Sequence, residues 1–96
     1  MKIVWSHLAK IDYWKNIEYL EQNWTFTDVV NFIKEVESLI SLLKANNVTF
    51  LKTNYKNVCK VVLNKQITLY YFIDDNTITL LRFWNNYQDL DNFKLK

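Results

Sequence analysis

The sequence predicts an α+β fold: an N-terminal strand, an antiparallel helical hairpin and a three-stranded antiparallel meander, forming one mixed or antiparallel sheet covered by two helices. Three observations carry this. Residues 58–63, 67–73 and 77–84 are runs rich in β-branched and aromatic types, divided by the polar breaks Asn64-Lys65-Gln66 and Asp74-Asp75-Asn76, as in consecutive hairpins. Residues 26–45 repeat apolar side chains at spacings of three and four, the period of a helix. Residues 22–25 alone separate that stretch from an earlier helical one, so the two fold back on each other.

Taken in order, residues 2–5 alternate weakly and read as an edge strand joining the sheet. Ser6 follows as an N-cap, able to accept a backbone N–H that the first helical turn leaves open. The first helix runs to about Asn23. Ala9, Tyr13, Ile17, Leu20 and Trp24 form a stripe assigned to the core. Leu8, Ile11 and Tyr19 fall on a second apolar face, interleaved with Asp12, Lys15 and Gln22. Such a face is packed by the next helix or left for another protein.

Thr25 and Asp28 have the spacing of a capping box. Beyond them Val29, Phe32, Ile33, Val36, Leu39 or Ile40, and Leu43 form the apolar stripe of the second helix, ended by Asn46-Asn47 in place of a glycine. Residues 48–57 show no period and are read as a loop, with Phe50, Leu51 and Tyr55 tucked onto the core. In the last strand, Phe83 and Trp84 are expected on opposite faces, one of them in the core.

Composition narrows the function classes. The 96 residues include no Gly and no Pro, which excludes a Walker A loop, a dinucleotide fingerprint and a nucleophile elbow, each of which needs glycine backbone. Half of the residues are apolar and 17% aromatic, an apolar surplus that on a small protein points to a partner. No linker, repeat or low-complexity tract interrupts residues 1–96, so a single domain is expected. No signal-like segment and no apolar run near ~18 residues occurs. The expectation is a cytoplasmic protein with no membrane association.

Net charge is +2, from 11 Lys and one Arg against 10 acids, too mild to predict nucleic-acid binding alone. Its distribution is uneven: Lys52, Lys56, Lys60 and Lys65 fall in a stretch without an acid. That is either a local basic surface or a set of solvated lysines beside a sheet. The single Cys59, inside a predicted strand, reads as a small buried hydrophobe.

Converging metal ligands are not in evidence, since the chain has one His and one Cys, far apart. Asp74-Asp75 at a hairpin tip reads as a turn former, and His7 beside a helix start reads as a surface residue. No metal or other cofactor is expected. What remains is metal-free chemistry on phosphodiesters, or no chemistry. Cleaving RNA through its own 2′-OH needs a base, cations for the charge growing on phosphate oxygens, and an acid for the leaving oxygen. The candidates for those roles are Lys60, Lys65, Arg82 and Tyr87.

Four segments together carry a resemblance: Val4-Trp5-Ser6-His7-Leu8-Ala9-Lys10-Ile11-Asp12-Tyr13, then Tyr55-Lys56-Asn57-Val58-Cys59-Lys60, Ile67-Thr68-Leu69-Tyr70-Tyr71, and Leu80-Leu81-Arg82-Phe83-Trp84-Asn85-Asn86-Tyr87-Gln88-Asp89. In order and spacing they resemble the RelE/ParE superfamily of bacterial toxins over nearly the whole chain. The resemblance implies the toxin of a type II toxin–antitoxin pair, tied to plasmid stabilisation and growth inhibition. One branch cleaves mRNA on the ribosome, and another poisons DNA gyrase. Both are silenced by a cognate antitoxin in a toxin–antitoxin hetero-oligomer. The face of Leu8, Ile11, Lys15 and Tyr19 would then receive the antitoxin as an amphipathic helix in a groove.

The chain also departs from that pattern. Relatives tend to carry Pro at the position of His7, Arg at those of Cys59, Phe72 and Tyr87, His at Gln66 and Pro at Leu90. An Arg grips phosphate at two points, and the side chains standing in its place do not. Three readings follow: a protein-binding, gyrase-type toxin, which the depleted charge favours; a ribosome-dependent endoribonuclease resting on Lys60, Lys65, Arg82 and Tyr87; and a degenerate homologue that binds an antitoxin without harming the cell. Outside the family stands a small α+β interaction domain with no toxicity.

Overall fold

In the computed structural model, which describes residues 1–45, 51–64, 66–86 and 93, the chain runs β1 (Lys2–Trp5), α1 (His7–Asn23), α2 (Phe26–Lys44), β2 (Leu51–Lys52), β3 (Val58–Val62), β4 (Ile67–Asp74) and β5 (Thr77–Asn85). Among the described residues the strands form one mixed sheet in the order β1-β5-β4-β3-β2. β1 lies parallel to β5, with Lys2 opposite Thr77, and the other pairs are antiparallel. The fold is the expected α+β arrangement, with a strand, a helical hairpin and a meander in that order.

Without glycine, Asn and Asp take the backbone positions that glycine would fill. Asn57 (φ 62°) before β3 and Asp75 (φ 50°) in the β4–β5 turn both adopt the left-handed region, which short polar side chains tolerate. At the β3–β4 break, Asn64 Oδ1 accepts the N–H groups of Gln66 (2.8 Å) and Ile67 (3.0 Å). The helices start as their caps predict. Ser6 Oγ accepts the Ala9 N–H at 3.0 Å, and Thr25 and Asp28 close a reciprocal capping box.

α2 buries one clean stripe, Val29, Phe32, Val36, Leu39 and Leu43. These meet Ile67, Leu69, Tyr71, Ile78, Leu80, Phe83 and Cys59 of the sheet, with Ala9 and Ile17 of α1, in one core. β5 reaches this core through a bulge. Tyr70 pairs with Arg82 but Tyr71 pairs with Leu80, so Leu81 has no residue opposite it in the register. A one-residue bulge exchanges the faces of everything after it. Leu80 and Phe83 therefore both face the helices, whereas Arg82 and Trp84 turn to the sheet's other face.

Phe83 and Trp84 do lie on opposite faces, paired with Leu69 and Thr68. Phe83 is the core residue, its ring 5.4 Å from Trp5 and 6.0 Å from Tyr13. Trp84 is just as buried, at 2% exposure, with the Arg82 guanidinium over its ring and the Phe93 ring edge-on to it.

Several expectations need correction. Trp24, placed in the core stripe, is 53% exposed. It caps α1 with extended backbone (φ −136°, ψ −173°), so the 100° step of the helix no longer carries its side chain inward. Residues 51–52 form a strand where a loop is predicted, since two residues are too few to show a period. Leu51 and Tyr55, expected on the core, are 70% and 54% exposed. Leu51 sits opposite Lys60, on the face away from the helices. Phe50 and the Asn46-Asn47 stop lie outside the described residues. No helix among the described residues is long and apolar enough to cross a membrane.

Because Phe83 fills the centre of this core, Phe83→Ala should destabilise the chain by roughly 3–5 kcal/mol. Urea unfolding should show a lower midpoint at unchanged slope, and an unaltered midpoint would contradict the placement.

Candidate functional site on the open face of the sheet

β1 ends at Trp5, level with Leu80, so among the described residues β5 continues with no strand on its β1 side. The start of α1 completes that edge. The Ser6 N–H donates to Leu80 O and its Oγ–H to Leu81 O, both at 3.0 Å. Two turns later the Asp12 carboxylate accepts the Phe83 N–H at 3.1 Å. The same carboxylate accepts Arg82 Nε at 2.7 Å and Nη2 at 3.0 Å, a two-point ion pair whose side chains are only 13% and 12% exposed. Asp12 is thus not one of the outward polar residues of α1; it is turned onto the sheet edge. The Arg82 Cζ also stands 5.3 Å from the centre of the Trp84 ring, a cation–π distance.

On the face away from the helices, Lys60, Tyr70 and Arg82 lie side by side on β3, β4 and β5, each opposite the next. Directly opposed residues of antiparallel strands share a face, so two of the four candidate catalytic residues fall in one row. The adjacent row is Val62, Thr68 and Trp84. Phe93 spans the two rows, its ring 4.7 Å from Tyr70 and 4.9 Å edge-on from Trp84. Burial, with a smaller contribution from Tyr55, pushes the Tyr70 phenol above its usual value. At neutral pH Tyr70 is a proton donor on this face, not a base. Lys65 and Tyr87 lie outside the described residues.

The second candidate surface is the outer side of α1. Leu8 and Ile11 are half-buried, Lys15 is exposed, and Tyr19 is 49% exposed. Sequence reasoning missed Trp14, which at 61% exposure is the largest apolar group on this side; its spacing of three from Ile11 was the available signal. It also missed Asp12, Tyr70 and Trp84 as shapers of the open face. No local pattern announces a pair separated by 70 positions.

Among the described residues no cluster of His, Cys, Asp and Glu has the makings of a metal site. Asp74 and Asp75 sit exposed at the β4–β5 turn, and His7 is exposed. Cys59 is buried opposite Tyr71. Burial first, and Cys59 second, push the Tyr71 phenol up.

Two outcomes follow from this chemistry. Asp12→Ala removes a two-point carboxylate partner from a largely buried guanidinium and should cost roughly 2–4 kcal/mol, somewhat below the penalty for a fully buried pair. The double variant Asp12→Leu/Arg82→Met should recover much of that stability in urea titrations, and simple additivity would show that the pair is uncoupled. Tyr13, Tyr70 and Tyr71 all have raised pKa values in the folded chain. Their contribution is intact below about pH 10, where unfolded tyrosines remain neutral, and is lost as pH rises towards the folded values. Thermal midpoints should therefore fall above about pH 10, and a flat profile from about pH 9 to 11.5 would refute the burial of these phenols.

No protein-family model and no curated protein matches the chain. Solved structures do. The chromosomal ParDE toxin–antitoxin system of P. aeruginosa superposes with a TM-score of 0.74 at 14% identity, over 88% of this chain and 95% of that one. The YoeB dimer of Staphylococcus aureus gives 0.63 at 23% identity, over 91% and 98%. The DinJ–YafQ complex of E. coli gives 0.61 at 14% identity, over 88% and 91%. These neighbours come from toxin–antitoxin systems, and YoeB and YafQ were solved together with the antitoxins YefM and DinJ. Strand order, helical hairpin and near-complete mutual coverage place the chain in one fold class: it has the fold of the RelE/ParE superfamily of toxins.

Proposed function

We propose that this chain is the toxin of a type II toxin–antitoxin pair, that it acts by binding a protein target in the manner of a gyrase poison, and that a cognate antitoxin neutralises it. The carrying observation is the state of the one arginine in the sequence. Arg82 is held at two points by Asp12 and stacked on Trp84, so its charge is already answered within the fold. Phosphoryl-transfer chemistry spends cations on the transition state, whereas a protein-binding surface needs none. The similarity to the ParDE toxin–antitoxin system supports the toxin–antitoxin part of the reading. The active unit is a single domain of residues 1–96, working in the cytoplasm without a cofactor.

In this reading the antitoxin lies along the outer side of α1, on Leu8, Ile11, Lys15 and Tyr19, with Trp14 as the largest anchor. Exposed Trp and Tyr are the residue types that dominate binding energy at interfaces. A second reading, a ribosome-dependent mRNA endoribonuclease, draws support from the row of Lys60, Tyr70 and Arg82. It would employ Lys60, Lys65, Arg82 and Tyr87.

Induced expression in a bacterial host lacking the antitoxin separates these readings. Growth arrest with a DNA-damage reporter switched on, and inhibition of gyrase supercoiling by the purified chain, are the expected results. A fall in bulk translation before any DNA damage would establish the endoribonuclease reading instead. Unimpaired growth at high protein levels would identify a degenerate homologue.

A further inference from the structure

We infer that a cavity beside the β2–β3 hairpin is a binding site for a nucleoside monophosphate, with the base against an apolar wall and the phosphate between Lys52 and Lys56. The site is separate from the α1 surface and from the row of Lys60, Tyr70 and Arg82, and it does not depend on the toxin reading.

The stretch from Lys52 to Lys65 contains no acid, and the proposed function leaves its first two lysines without a task. The structure brings both to one cavity of about 380 Å3, within the size range of small-molecule sites, about 300–1,000 Å3. Both lysines are exposed, and among the described residues neither has an ion-pair partner and no carboxylate lines the cavity. Two ammonium groups on one concave surface repel each other, and an anion shared between them relieves the repulsion. A phosphate monoester, with about two negative charges at neutral pH, matches that pair.

A phosphate alone would leave the apolar wall without a use. Ile73 stands opposite Ile78, which lies in the core beneath the helices together with Cys59. Directly opposed residues share a face, yet Ile78 is 2% exposed and Ile73 37%. The helical cover thus ends between them, and Ile73 is left beside Cys59 as the apolar part of the cavity. Tyr55, half-exposed, lines the same cavity and offers a ring on which a base can stack. Asn54 and Asn57 complete the lining. Their amides both donate and accept, the pairing that the edge of an adenine takes.

The loop carrying these groups is already fixed. The Thr53 N–H and Oγ1–H both donate to Val58 O at 3.0 Å, and Thr53 Oγ1 accepts the Tyr55 N–H at 3.1 Å. The Val58 N–H donates to Tyr55 O at 3.2 Å, closing a turn in which Asn57 holds its left-handed backbone. The Ile73 N–H donates to Asn57 O at 3.1 Å and ties that turn to β4. Little ordering is left for a ligand to impose.

The test titrates the 15N-labelled full chain with adenosine monophosphate and, separately, with adenosine and with inorganic phosphate. The nucleotide should shift the backbone amides of residues 52–59 and of Ile73, leave those of α1 unmoved, and bind about tenfold or more tightly than either half. Lys52→Gln/Lys56→Gln should lose about tenfold in affinity for the nucleotide and nothing for adenosine. Tyr55→Ala should weaken the nucleotide and adenosine alike and leave phosphate unchanged. All three positions are exposed, and unaltered urea midpoints should show that the variants fold; if Tyr55→Ala does not, the lysine variant decides alone. Inorganic phosphate bound as tightly as the nucleotide overturns the nucleoside. No shift, or shifts confined to other residues, overturns the site. A 5′-phosphorylated oligoadenylate that binds more tightly than the nucleotide overturns the free ligand in favour of a strand end. None of these readouts involves toxicity, so their failure is distinguishable from failure of the toxin assignment.

Discussion

The arrangement of the molecule depends on one ion pair. Asp12 of α1 takes two N–H groups of Arg82 and the backbone N–H of Phe83. In doing so it satisfies the edge of β5 where β1 has run out. Exposed sheet edges invite pairing with other chains, and here a helix closes the edge with a carboxylate and a serine in place of a further strand. The same contact sets the roll of α1: with Asp12 against the sheet, Ala9 and Ile17 must face the core, and Trp14 and Tyr19 must face solvent. Which side chains of α1 are buried and which are exposed is thus determined by one residue.

The bulge at Leu81 is the second constraint. It lets Leu80 and Phe83, three positions apart, both enter the core, which a regular strand forbids. Arg82 is the residue displaced to the other side by this exchange. Its position beside Tyr70 and over Trp84 follows from backbone geometry, and the ion pair then fixes the direction of the guanidinium. A surface of aromatic rings with its main cation turned aside is better matched to side chains than to phosphates.

What was legible in the sequence follows the range of the physics involved. The capping residues Ser6, Thr25 and Asp28 act over three positions, and α2 shows its period over nineteen residues; both could be read. α1 was harder, because apolar residues surround it on nearly every side, and its stripe overran the helix end at Trp24. β2 was invisible because two residues make no pattern. The approach of Lys60 and Arg82 required strand register across β3, β4 and β5, which turn residues constrain only loosely when no glycine marks the turn type. The Asp12–Arg82 pairing, linking the two ends of the chain, left no local trace at all.

The parallel pairing of β1 with β5 joins residues far apart in the chain, Lys2 with Thr77. A growing chain cannot make this pair until its last strand has been synthesised, and contacts of such long range are slow to form. Until then α1 has neither the sheet edge nor Arg82 to hold it, and the faces of both helices that form the core stay uncovered. The N-terminal half is therefore committed to waiting, and the buried faces of α1 and α2 are covered only in that late event. The topology thus acts as a delay: the sheet edge closed by α1 and the shared core are completed together, in one late step.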